Sequence, residues 1–237
     1  YPIVSNGKAT YKNKQGNIGG ACFFVGKHIH SKLGFWCEEY DKYGEEKVVR
    51  SGYQVRTTLD LGLQRKMITN INKNINYIQR NGGSNASGVA IDPTSGEVRA
   101  LVVSADWNNP EWGKVNMAIT PRQPGSSFKP VYYSEALAQG IITPATVLDD
   151  TATDFGGYKP QNANRSFSGD ISVRNALSRS LNIPAVKVMQ RLGIENSVEA
   201  AKRMGISTID ENANYGLSLA LGSAEAQLLE MTNAYAA

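Results

Sequence analysis

Histidine and cysteine are scarce in this chain, with two of each among 237 residues. His28 and His30 lie far from every serine motif described below, so a Ser/His/Asp triad would have to reach back across most of the chain. Cys22 and Cys37 are too few for a disulfide scaffold but enough for one bridge, or for two free thiols. The four residues together have the right chemistry for zinc, yet no C-x-x-C knuckle organises them, and the reading is that no metal is bound. Long apolar runs are missing too: Ala21 to Val25 falls far short of the roughly 20 residues a membrane helix needs. Tyr1-Pro2-Ile3-Val4 lacks the charged-then-apolar layout of a secretory leader, so an export signal or anchor is expected upstream or already removed. Lys and Arg exceed Asp and Glu by only 25 to 21, with no basic block or interleaved aromatic stripe, which argues against nucleic acid as a partner.

What is present divides into strand-like and helical stretches. Residues 1–50 show no sustained period and read as a linker or small irregular, partly β segment. Tyr53 to Thr58 alternates like a strand, and Asp60 can cap a helix carrying Leu63, Met67, Ile71, Ile75 and Ile78 until Asn81-Gly82-Gly83 stops it. Gly88 to Asp92 and Glu97 to Val103 flank Pro93-Thr94-Ser95-Gly96 as a β-hairpin. Helical patterns follow over Phe128–Ala138, Ile171–Ser178, Ala185–Leu192 and Ser197–Met204, three of them closed by Gly140, Gly193 and Gly205. A last helix is expected after Ser223, running to Ala237.

Chemistry concentrates in Arg122-Gln123-Pro124-Gly125-Ser126-Ser127-Phe128-Lys129-Pro130. A Pro-Gly turn delivers Ser126 to a helix start, and Lys129, three residues on, shares its face. Serine alone is a poor nucleophile; a lysine near a helix N-terminus and out of water loses its proton more readily and can serve as base. The Ser126 N–H, without an intrahelical acceptor, suits a developing oxyanion. An isolated Ser-x-x-Lys is also what a solvated helix face produces by chance. Ser180-Leu181-Asn182 adds a second element: if extended, it turns Ser180 and Asn182 to one side and Leu181 into the core, with Pro184 helping to end the preceding helix. Read in isolation, the same Ser and Asn would serve as helix caps.

Taken together these motifs resemble the penicillin-binding proteins, in the style of their bifunctional, high-molecular-weight class. Gly52-Tyr53-Gln54-Val55-Arg56-Thr57-Thr58-Leu59-Asp60, Ala90-Ile91-Asp92-Pro93 with Gly96-Glu97-Val98, Leu217 to Gly222 and Met231 to Ala236 add to the likeness, which covers about residues 50–237. The resemblance implies an α+β fold, an antiparallel sheet packed against a helical subdomain, with 51–237 as a transpeptidase domain and 1–50 preceding it. It implies that Ser126 attacks the D-Ala-D-Ala carbonyl of a peptidoglycan stem peptide, that Lys129 takes its proton, that Ser180 passes a proton to the departing D-alanine, and that Asn182 binds the donor peptide. No metal or cofactor is implied; β-lactams are, as covalent inhibitors. The implied location is outside the cytoplasm on an anchor, where Cys22 and Cys37 would tend to oxidise.

The family's third motif, Lys-Thr-Gly or Lys-Ser-Gly on a sheet strand, does not occur. The expectation is therefore a domain incomplete at its C-terminal end, inactive alone, its hairpin edge unpaired until a further segment or second chain supplies the strands. Two rivals share the motifs. A serine β-lactamase would add a water-activating acid, and Glu211 is a poor match to such a loop; a β-lactam-binding sensor would acylate without cross-linking. Trp107, Trp112 and Tyr158 suit either a cleft lining or a core.

Overall fold

The computed structural model of the chain describes residues 9–12, 18–23, 36–37, 54–56, 58–210 and 213–236. They form two compact units, one within residues 1–120 with 235–237, the other over 121–234.

The first unit opens with β1 (Ala9–Lys12), β2 (Ile18–Phe23), β3 (Trp36–Cys37) and β4 (Gln54–Arg56), an antiparallel sheet in the order β3-β2-β1-β4. Cys22 and Cys37 are direct cross-strand partners in its register. His28, His30 and Glu211 lie outside the described residues.

The expected helix is α1, Leu61–Arg80, capped at its start by Asp60, whose carboxylate accepts the Leu63 N–H at 2.9 Å. Met67, Ile71, Ile75 and Ile78 are half-buried along one face, as their spacing requires, whereas Leu63 is exposed. The hairpin forms as read, β5 (Gly88–Ile91) against β6 (Val98–Val102). Asp92 organises its turn: the Thr94 N–H donates to the carboxylate and Arg99 pairs with it, and those interactions hold its carboxyl below the usual range. Trp107 is half exposed, so it is no core residue.

The outer edge of β6 is not left open. At alternate residues its backbone finds a partner: Arg99 O accepts from the Asp60 N–H at 2.8 Å and Val103 O from the Met117 N–H at 3.0 Å. Between them Gln64, the buried residue of α1, offers its side-chain amide as a strand would. Its Nε2 donates to Leu101 O at 2.9 Å and its Oε1 accepts the Leu101 N–H at 2.8 Å. A helix side chain and two main-chain amides thus satisfy the β6 edge, and the expectation of an unpaired hairpin edge concerns the β5 side. Gln64→Ala strips both partners from one buried peptide unit, so unfolding in urea should reveal a loss of about 2–4 kcal/mol, and Gln64→Glu, which sets a buried carboxylate oxygen against Leu101 O, should not recover it.

The second unit is largely helical. It contains a 3-10 turn at Gly125–Phe128, α2 (Lys129–Ala138), β7 (Val147–Asp150) antiparallel to β8 (Gly169–Ser172), α3 (Val173–Ser178), α4 (Asn182–Leu192), α5 (Ile194–Arg203), a second 3-10 turn at Leu217–Leu221, and α6 (Leu228–Ala234). Its core joins Phe128, Tyr132 and Tyr133 to Ile142, Leu148, Met189, Ile206 and Leu219, with Tyr158 packed partly against it. Three sequence expectations shift here. Ile171 and Ser172 belong to β8, with Ser172 capping α3 through the Asn175 N–H. Pro184 sits in the first turn of α4, where its missing N–H costs nothing, rather than ending α3 six residues earlier. The last helix starts at Leu228 and closes at Ala234.

Candidate active site

Ser126 and Lys129 are placed by a change of helix type. Gly125, at φ 58, turns the chain into the 3-10 turn, and a 3-10 turn eclipses residues three apart, setting Ser126 over Lys129. The Lys129 N–H donates to Ser126 O, closing that turn. Ser126 is exposed, and the neighbouring Ser127 hydroxyl folds back onto Pro124 O at 2.7 Å. Below the turn, Gly222, at φ 72, lies against Gly125, whose N–H donates to Gly222 O at 3.4 Å. A side chain at 222 would put its Cβ onto the Gly125 oxygen and 2.6 Å from its nitrogen, so the seat of the Ser126 turn requires glycine there.

Lys129 is buried, 1% exposed, an uncommon state for a lysine. Its ammonium donates to Ser180 O at 2.7 Å, Asn182 Oδ1 at 2.8 Å, Leu181 O at 3.2 Å and Ser180 Oγ at 3.2 Å. The two motifs, 51 residues apart, therefore meet through one nitrogen. Burial pushes the Lys129 amine down to about 8. At pH 7 about one amine in ten is then neutral, against about one in three thousand at 10.5. The Ser126 hydroxyl is not among the four oxygens on Nζ; catalytic hydrogen bonds often close only on the reacting complex.

Ser180 departs from the extended conformation expected of it. It stands at φ 54, the left-handed region, as the residue after the C-cap of α3. The Ser180 N–H donates to Leu177 O at 2.9 Å and the Leu181 N–H to Ala176 O at 3.0 Å, the paired bonds of a Schellman motif, and Leu181 packs with Ala176 and Ile171 as that motif prefers. Asn182 opens α4, with Leu181 extended as its N-cap. Ser180 and Asn182 still reach the same nitrogen while Leu181 is buried, so the expected outcome arises from a helix-to-helix corner instead of a strand. Glycine is the usual occupant of such a corner; serine there holds strain of about 1–3 kcal/mol and puts a hydroxyl where glycine has none.

Three further residues complete the cluster without any sequence signal that a single chain could offer. Asn182 Nδ2 donates to Gln161 O at 2.7 Å, and the Asn182 N–H to Asn162 Oδ1 at 2.7 Å. Asn162 in turn donates to Asp150, a fully buried carboxylate at the end of β7. Asp150 occupies a core position that alternation would assign to an apolar residue, which is why β7 does not read as a strand. Among the described residues no cluster of His, Cys, Asp and Glu suits a metal ion.

Comparison with known proteins places this arrangement. The family described as "Penicillin binding protein transpeptidase domain" matches residues 86–236. Penicillin-binding protein 1C of Escherichia coli (strain K12) is 37% identical over 186 residues, 78% of this chain and 24% of that protein. Among solved structures, penicillin-binding protein 1A of Haemophilus influenzae matches with a TM-score of 0.56 at 31% identity, over 64% of this chain and 23% of that one. PonA1 of Mycobacterium tuberculosis, solved in complex with penicillin V, shares the fold at a TM-score of 0.69 and 24% identity, over 84% of this chain and 55% of that one. The fold is the α+β architecture of serine β-lactamase-like transpeptidase domains, and the chain belongs to the penicillin-binding protein transpeptidase family. It spans about a quarter of the length of the curated relatives it matches.

Two outcomes should follow. If Lys129 is the base that takes the Ser126 proton, acylation by a β-lactam should climb about tenfold per pH unit below its value of about 8 and level off above it, because only a neutral amine accepts a proton; Lys129→Ala should then remove that limb and slow acylation by about 10² to 10⁴. A flat profile from pH 6 to 9 would exclude Lys129 as the base. Ser180→Gly should unfold at the same or a higher temperature, its corner relaxed, and yet acylate more slowly, separating what the backbone wants from what the hydroxyl does.

Proposed function

We propose that this chain carries the nucleophile-bearing part of a peptidoglycan D,D-transpeptidase, with residues 51–237 forming the transpeptidase domain and 1–50 leading into it. The observation that carries the reading is the Lys129 amine, buried and held by residues 180–182, on a residue one 3-10 turn after an exposed Ser126. Ser126 Oγ attacks the carbonyl carbon of the penultimate D-alanine while its proton passes to Lys129 Nζ. The carbonyl oxygen, now negative, faces the Ser126 N–H. Collapse breaks the peptide bond, the departing D-alanine amine takes a proton through the Ser180 hydroxyl, and an ester remains on Ser126. The amine of a second stem peptide attacks that ester, forming the cross-link and freeing the serine. Asn182, its Nδ2 and Oδ1 both engaged, holds the donor strand's place beside the base.

Penicillin enters the same path because its lactam carbonyl acylates Ser126 and its leaving nitrogen stays tethered. Such a protein works outside the cytoplasm, on an anchor that these residues do not themselves provide: among the described residues no helix is long and apolar enough to cross a membrane. The family's Lys-Thr-Gly strand, absent from the sequence, would supply the second oxyanion donor from a further segment. A β-lactamase or a sensor would use the same serine. The named relatives are penicillin-binding proteins, which supports the synthetic reading.

The test is a fluorescent penicillin applied to a protein that carries this segment together with a Lys-Thr-Gly strand, followed by peptide mass spectrometry. The adduct should fall on Ser126 and vanish in Ser126→Ala, with an ester lifetime too long for a β-lactamase and cross-linked product from stem peptides. Residues 1–237 alone should acylate about 10² to 10³ times more slowly, the cost of one oxyanion donor. An adduct on Ser127 or Ser180 with Ser126 unmodified would overturn the assignment.

A further inference from the structure

Asn182 begins α4 without help from its own N-cap: Leu181 has no side-chain acceptor to offer the first turn. The exposed N–H is instead met from 20 residues away, by Asn162 Oδ1 at 2.7 Å. Asn162 is 3% exposed and both polar atoms of its side chain are engaged. Its Nδ2 donates to Ser166 O at 2.9 Å and to both carboxylate oxygens of Asp150, at 2.9 and 3.1 Å. Asp150 is 0% exposed and takes one more bond, from the Ser168 N–H at 2.9 Å. No lysine or arginine among the described residues pairs with it; Lys187 turns to the neighbouring Asp149 instead. A carboxylate buried with amide donors and no cation is costly, and a fold that needed only packing would place an apolar side chain there.

A carboxylate does one thing that an amide of the same shape does not: it only accepts. Facing Asp150, the Asn162 amide has one allowed orientation, Nδ2 inward and Oδ1 toward the Asn182 N–H. The adjacent Gln161 O takes Asn182 Nδ2, which leaves Asn182 Oδ1 for Lys129 at 2.8 Å. We infer that Asp150 and Asn162 are a positioning pair for the catalytic step, the buried charge of one setting the amide of the other so that Ser180-Leu181-Asn182 presents its oxygens to Lys129. Neither residue touches substrate. They act through Asn182, and the inference rests on the transpeptidase reading for its readout.

The experiment compares wild type, D150N, N162D and the exchange D150N/N162D, in a protein carrying this segment with a Lys-Thr-Gly strand. It measures the limiting rate of acylation by fluorescent penicillin, the concentration giving half that rate, and the melting temperature. In D150N a donor can face a donor and the Asn162 amide is free to turn; in N162D two carboxylates confront each other. The exchange restores one amide donating to one carboxylate with an acceptor still aimed at the Asn182 N–H, although the bond to Ser166 O is lost. The expected result is a fall of tenfold or more in limiting rate for each folded single variant, little change in the half-saturating concentration, and recovery of most of the rate in the exchange.

A merely structural role would move melting temperature without that recovery. Folded single variants that acylate within twofold of wild type overturn the inference. So does a folded exchange that is no faster than the slower single. If D150N does not fold, N162D is compared with the exchange by the same criterion. If neither single folds, the pair serves the fold and not the site, and the inference falls. Wild type unlabelled at Ser126 is a different failure, since it removes the transpeptidase reading and the positioning role with it.

Discussion

A lysine amine withdrawn from water is the constraint around which the second unit is arranged. Desolvation makes the ammonium uncomfortable and lowers its proton affinity, yet a buried amine without partners would be costlier still. The fold answers with oxygens from a single tripeptide. To bring them there it needs a helix that stops at Ser178, a left-handed corner at Ser180, and a helix that restarts at Asn182. Tyr132, one turn beyond Lys129, links α2 to α4 and to the second 3-10 turn, its one buried O–H shared between Ala185 O at 3.3 Å and Ala220 O at 3.1 Å. Ser126 is comparatively free: it stands exposed on a turn that the glycine contact between 125 and 222 seats.

Legibility in the sequence followed the range of the interactions. Elements built from local signals were readable: the Asp60 cap, the helical spacing of Met67 to Ile78, the hairpin around Pro93, and Ser126 three before Lys129. What escaped depended on groups distant in sequence. β7 was hidden because its inward positions hold Leu148 and Asp150, and an acid in a core position breaks the apolar alternation that marks a strand. Gln64 looked like one more polar residue on a helix until β6 came to lie against it. Ser180 was misjudged in conformation but not in company, since the Schellman bonds that bend it depend on where α3 ends, and no glycine marks that end.

The strained serine and the buried acid are departures from what local preference would choose, the serine one hydrogen bond from Lys129 and the acid three. Elsewhere in the unit apolar faces are buried and glycines with positive φ close α2, α4 and α5 at 140, 193 and 205, while two further departures stand apart from Lys129: Arg165 at φ 56 and the buried Tyr133 hydroxyl, which has no hydrogen-bond partner. Two such conflicts linked by hydrogen bonds to one amine form the pattern of a site held against its own preferences by a well-packed surround.

Two of the oxygens on Lys129, those of Ser180 and Leu181, are main-chain carbonyls. The genetic code has no way to delete a carbonyl; a codon change at 180 or 181 alters the side chain and leaves these acceptors in place unless the corner itself moves. Half of the environment of the amine is thereby shielded from single-residue replacement. Variation that reshapes this pocket must then be sought in loop length and in how the corner is supported, rather than at the main-chain atoms that touch the amine.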